Sequence, residues 1–185
     1  MFGWIILGLV VLAAFYAITI YNGLVKNRQM VEEGWSGIDV QLKRRTDLIP
    51  NMLETVKGYM GHERETLEAV TQARAAATAG ANAGPAERSA LEGALSGALG
   101  KLLAIAEAYP DLKANTTFLE FQGALQNVED EIQLARRYYN GSVRNLNTAV
   151  ESFPSNVVAN AFKFEKAEYF ELENEADRAV PQVKF

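Results

Sequence analysis

The first twenty-five residues are mostly apolar and carry no charged side chain, and the first charges are Lys26 and Arg28. A bilayer core of roughly 30 Å takes about 20 apolar residues as a helix. Trp4 to Val25 meets that length, with Trp4, Leu9, Phe15, Ile20 and Val25 marking its course. The pattern predicts a transmembrane anchor over 1–25, a helical domain over 26–164 and an acidic tail over 165–185.

After the anchor the apolar spacing turns amphipathic. Ile38, Leu42, Ile49, Met52, Val56, Tyr59, Leu67 and Val70 step mostly by three, four or seven, as on one helix face. Pro50 removes a backbone donor from that helix. Either one long helix bends there, the reading preferred because the polar face continues through Gln41, Lys43, Arg44 and Thr46, or Asp47 caps a new helix. Residues 75–86, AAATAGANAGPA, carry no large apolar anchor and read as a hairpin loop. A second helix is expected over about 86–109, with Leu91, Leu95, Ala98, Leu102, Ile105 and Tyr109 on one face, stopped by Tyr109-Pro110. The third, about 113–151, has an unbroken heptad-like series from Phe118 through Leu125, Ile132 and Tyr139 to Leu146, closed by Phe153-Pro154. Ser155 is placed to cap a short fourth helix, and the chain beyond Phe164 shows no period and reads as loosely packed. With no strand pattern, the fold class is all-α: an N-terminal transmembrane helix, then a long antiparallel bundle of three long helices and a short C-terminal one.

The anchor reads as retained rather than cleaved. No base precedes the apolar run, the run is long for a signal peptide, and Ala13, Ala14 and Ala17 make a poor cleavage site. Lys26, Arg28 and then Lys43, Arg44 and Arg45 all follow the span, so the positive-inside rule puts the amino terminus outside and the domain in the cytoplasm of a bacterial inner membrane, with a single pass. Whether the anchor runs on into the first bundle helix turns on Gly34, which either sits within that helix or breaks it. Trp35 reads as a core residue in preference to one at the membrane surface.

Charge and chemistry narrow the function classes. The net charge of −5 argues against nucleic acid, since phosphate binding needs a basic surface. Acids and bases balance at nine each over 26–88, and fourteen acids against nine bases follow. There are no cysteines, and His62 is the one histidine. A zinc protease helix needs a second histidine where Thr66 stands, and a structural zinc site needs four ligands. No Ser-His-Asp set, phosphate loop or converging carboxylate pair emerges, so no enzyme activity, cofactor or metal is expected. Lys43, Arg44 and Arg45 lie about 27 Å past the span on a continuous helix, beyond a screening length of roughly 8 Å, and do not reach lipid.

Two groups remain as candidate surfaces. Gly93, Gly97, Gly100 and Ala104 step by four, three and four, offset from the leucine face. Glycine inside a helix costs about 1 kcal/mol against alanine, so a small-residue stripe is a candidate oligomer face where another backbone approaches closely. A loose, alanine-rich helix is the alternative. Asp39, Arg45, Asp47 and Arg136 form a candidate polar register group, with Asp47 and Arg136 as a possible pair. A solvated face is the blander reading.

Several stretches resemble the LemA family of bacterial membrane proteins. They are Tyr21-Asn22 with Leu24, the run WSGIDVQLKRRTDLIPN from Trp35 to Asn51, Val56-Lys57, Tyr59, His62-Glu63, Tyr109-Pro110, Leu112-Lys113-Ala114, Glu129, Ile132, Ala135-Arg136, Tyr139-Asn140 and Phe153-Pro154. The likeness covers nearly the whole chain. Ala161-Phe162 departs from the family's glycine-phenylalanine pair, which touches only local geometry near the tail. The resemblance implies a single-pass anchor on a helical bundle, no cofactor and no established enzyme activity. Relatives associated with magnetosome membrane formation favour a membrane-organising role. The leading expectation is a self-associating scaffold whose partners are the lipid bilayer, further copies of itself and an unidentified membrane or cytoplasmic protein. The alternative is a signalling adaptor that uses the bundle or the acidic tail, with Tyr169 and Phe170 as bait.

Overall fold

The computed structural model describes residues 2–171. The fold is all-α. Among the described residues the helices are α1 (Phe2–Lys57), α2 (Arg64–Ala79), α3 (Pro85–Ala106), α4 (Pro110–Lys113), α5 (Thr116–Glu151) and α6 (Ser155–Ala161), with a 3-10 turn at Gly80–Asn82. Two compact units emerge. The first holds α1 up to Ile38 with Ala135–Tyr169, and the second holds Asp39–Leu134 with Phe170 and Glu171.

α1 is one helix from the apolar run through Gly34 and Pro50 to Lys57, so neither residue breaks it. Pro50 has no N–H for the carbonyl of Thr46. That carbonyl accepts instead from Arg74 Nε of α2 at 2.8 Å. Arg74→Met should therefore cost about 1–2 kcal/mol, the usual range for stranding a buried acceptor. Urea midpoints in mild detergent measure it. In a Pro50→Ala background, where residue 50 can donate again, the same change should cost clearly less. Equal costs in both backgrounds would refute the assignment.

In the second unit, α1 contributes Ile49, Met52 and Val56 to a core completed by Leu67 and Val70 of α2, Leu95, Leu99 and Leu102 of α3, Leu112 of α4 and Phe118 of α5. The first bundle helix is shorter than its spacing predicts. It ends at Lys57, and Leu67 and Val70 belong to α2. Gly58 and Gly61 weaken the helix there, and Met60, fully buried in the turn, anchors the break. The expected loop at 75–86 starts later, because alanines to Ala79 extend α2. Pro85 opens α3 as its first residue, and α3 ends at Ala106, short of Tyr109. α5 starts at Thr116, where Asn115 Oδ1 accepts from the Phe118 N–H at 3.1 Å and caps the helix.

In the first unit, α5 runs antiparallel to α1. Gly34 lies against Tyr139, and toward the other end Ala149 and Val150 join Leu24, Val158, Ala159 and Phe164 in one cluster. The Phe153–Pro154 peptide is cis. Ser155 does not cap α6. Pro154 holds the cap position, and the Ser155 hydroxyl donates to the Ser152 carbonyl at 2.9 Å. α6 ends in a Schellman turn, with Phe164 N–H on Ala159 O at 2.9 Å and Lys163 N–H on Asn160 O at 3.3 Å. Lys163 takes the left-handed position at φ 56°, where glycine is usual.

The segment after Phe164 is irregular but not loose. The Asn147 side chain donates to Ala167 O at 3.0 Å and accepts from the Ala167 N–H at 2.9 Å. The Tyr139 hydroxyl donates to Glu168 O at 2.8 Å. In the second unit Phe170 is fully buried and the Ser89 hydroxyl donates to Glu171 O, which removes Phe170 as exposed bait. The acidic positions Glu173, Glu175 and Asp177, with Phe185, lie outside the described residues.

Candidate functional site

The apolar start of α1 is exposed on every side. Trp4, Leu9 and Phe15 all face outward, as do their neighbours from Phe2 to Tyr16. A helix that is apolar all round is stable only in a core or in lipid. This stretch is long and apolar enough to cross a membrane, and none of the described residues covers it. Ile20 and Val25, the last anchor positions, are partly buried against the cluster around Leu24. α3 also has the length and composition of a span, but it is a core helix. It is buried along Leu95, Leu99 and Leu102 and carries charged residues into the interior.

Those charges are the chief polar feature of the second unit. Arg45 of α1 is 1% exposed. Its Nη1 donates to Ser96 Oγ and to Glu129 Oε1, both at 2.7 Å, and its Nη2 donates to Glu92 Oε2 and to Glu92 O. Glu92 of α3 is 0% exposed, and its other oxygen accepts from Arg88 Nε at 3.0 Å. Arg88 also pairs with Asp39 at 3.3 Å and donates to Gly80 O at 3.2 Å. Two guanidinium groups and three carboxylates thus join α1, α3 and α5 in the middle of the unit. Both Glu92 oxygens accept from guanidinium donors, so the carboxylate ties Arg45 of α1 to Arg88 of α3. Buried ion groups of this kind are one means by which helix register is specified.

The polar residues expected from sequence are distributed differently from the single group. Asp39 and Arg45 enter this network. Asp47 is exposed and pairs along its own helix with Lys43 at 3.4 Å. Arg136 lies in the first unit, half-buried. Arg88, Glu92 and Glu129 are members that sequence reasoning missed. His62 is exposed in the turn between α1 and α2, and no group of three potential metal ligands occurs among the described residues. Gly97, Gly100 and Ala104 are exposed and Gly93 is half-buried; a side chain begun at Gly97 or Gly100 would enter open space.

Tyrosines line α5 in the first unit. Tyr139 packs on the Trp35 ring at 5.5 Å, which places Trp35 in the helix contact. Burial, with the Glu168 carboxylate nearby, pushes the Tyr139 hydroxyl up to about 12. Tyr138 is raised by partial desolvation and its hydrogen bond to Glu33. Both hydroxyls therefore remain protonated donors at neutral pH.

A LemA family model matches residues 34–185. The chain is 28% identical over 160 residues to Protein LemA of Metamycoplasma hominis, which covers 85% of this chain and 73% of that one. It is 30% identical over 86 residues to Magnetosome protein MamQ 2 of Paramagnetospirillum magneticum and to Magnetosome protein MamQ of Magnetospirillum gryphiswaldense, covering 45% of this chain and 32% of each of those. It therefore spans about a third of the magnetosome relatives' length. With a match that runs from Gly34 over most of its length, and an apolar helix that marks it as membrane-associated, the chain belongs to the LemA family.

Proposed function

We propose that this protein is a non-enzymatic, single-pass membrane scaffold that self-associates, with its amino terminus outside and its helical units in the cytoplasm. The observation that carries the reading is the fully exposed apolar start of α1, continuous with a helix whose later turns build a packed, ion-fastened bundle. A protein made this way spends its buried charges on holding helices together. The likeness to proteins named as magnetosome proteins supports a membrane-organising role.

Self-association is assigned to the outer face of α3, where Gly97, Gly100 and Ala104 leave room for another backbone. Light scattering on the full chain in gentle detergent should give an assembly of several copies, and Gly97→Leu should reduce it to the single chain. A wild-type protein that runs as a monomer, or a variant that keeps the assembly, refutes this assignment. Orientation has its own readout. A reporter active only in the periplasm, fused after Phe185, should stay silent, and its activity would reverse the topology.

A further inference from the structure

We propose that the corner between α5 and α6 is seated in the lipid–water interface of the bilayer that α1 enters, with Phe153, Val157 and Phe162 dipping into lipid. This rests on α1 crossing the membrane and extends it from one helix to a second, reentrant point of contact within the first unit.

Three observations place the corner at that depth. The first is register. Gly34 faces Tyr139 across the antiparallel pair, and Ala149 and Val150 lie in the cluster around Leu24. Equal rise of about 1.5 Å per residue along both helices brings the end of α5 level with about residue 22 of α1. The span from Trp4 to Val25 ends within a turn of that level. The second is coverage. Ala17 and Ile20 belong to the apolar run, yet both pack against the cluster that Val158, Ala159 and Phe164 build. α6 therefore reaches down beside the last turn of the span. The third is the ring contact of Tyr21 with Phe162, at 4.8 Å between centroids. Tyrosine at the end of a span marks the headgroup level, so Phe162 sits there too.

At that depth three large apolar side chains stand exposed beside the polar Glu151, Ser152 and Asn160, the mixed make-up of an interfacial surface. Phe153 is 83% exposed, Phe162 62% and Val157 60%. The occupant of that surface is the bilayer because the surface continues the one that α1 presents to it. Basic groups rim the corner. Arg28 lies over the Phe164 ring at 5.3 Å, Lys26 is exposed one turn beyond the span, and Lys163 directly follows Phe162. Long basic side chains at this level extend to lipid phosphates while their stems lie along apolar surface. This also gives a reason for a lysine in the left-handed turn where glycine would be less strained.

The chain has no cysteine, so single sites can be labelled cleanly. Phe153→Cys, Val157→Cys and Phe162→Cys would each carry a nitroxide in the full chain, reconstituted at one chain per phosphatidylcholine nanodisc. Leu9→Cys serves as the span control and Leu119→Cys, an exposed leucine of the second unit, as the aqueous control. The three corner labels should show a several-fold rise in the ratio of oxygen to nickel-chelate collision over the Leu119 label. Equal ratios at the corner and at residue 119, with a lipid signal at residue 9, overturn this inference and leave the anchor standing. A water signal at residue 9 overturns both. Corner protection that appears only with several chains per disc overturns lipid as the occupant and identifies a second copy instead.

Discussion

Replacing Glu92 by leucine lowers the stability of the unit that holds it by about 3–5 kcal/mol, the range for removing one partner of a buried ion group. The variant leaves Arg45 and Arg88 in the interior without the carboxylate that links them. Arg45 keeps Glu129, whose side chain is 33% exposed, and Arg88 keeps Asp39, which is 51% exposed, so neither cation gains a buried counter-charge. Chemical unfolding in detergent, followed by helical circular dichroism, measures the loss. The sharper test is the pairing with Arg45→Met. The double variant removes a cation along with the anion, so its cost should fall short of the sum of the singles by about 1–3 kcal/mol, as expected for coupled groups. Additive costs would show that the two side chains act independently and that the network does not set register.

The legibility of these features differs for physical reasons. α5 could be read almost residue by residue, because its core positions from Phe118 to Leu146 are apolar or aromatic, with only Ser142 polar, and Phe153-Pro154 closes it. The ion network was hidden by the same logic. The step from Leu42 to Ile49 is seven residues, and the buried positions between them are the polar Arg45 and Thr46. On α3 the buried series runs Arg88, Glu92, Leu95, Leu99, Leu102, Ala106, in steps of four and three. With charged residues placed outside, the apolar pattern points instead to the face of Leu91, Ala98 and Ile105. A heptad that continues through Arg88 and Glu92 was the available signal. The break after Lys57 was masked because Val56, Met60 and Leu67 keep a helical phase across it. The packing of 165–171 had no local signal. Ala167 is tied to Asn147 and Glu168 to Tyr139, partners 20 and 29 residues away, and such bonds leave no period in the segment itself.

Gly34→Leu should separate α1 from α5 in the first unit and cost about 3 kcal/mol, the upper part of the range for overpacking. Read along the chain, Gly34 looks like a weak point in a helix. In the fold it is buried, and a side chain begun there would lie 3.0 Å from the Tyr139 Cα and 3.2 Å from the Tyr138 ring. A backbone atom cannot swing aside, so the larger residue must push the helices apart and loosen the Trp35–Tyr139 contact beside it. Alanine is a different case. Its methyl group needs only a few tenths of an ångström, and the gain of about 1 kcal/mol in helix propensity offsets the squeeze, so Gly34→Ala should be nearly neutral. Amide exchange should locate the effect. The leucine variant should lose protection over residues 30–38 and 135–143, while the second-unit core around Ile49 and Leu102 keeps its own. Unchanged exchange in both helices would mean that the close approach at Gly34 does not hold this unit together. A matching loss at alanine would show that the contact with Tyr139 cannot yield even to a methyl group.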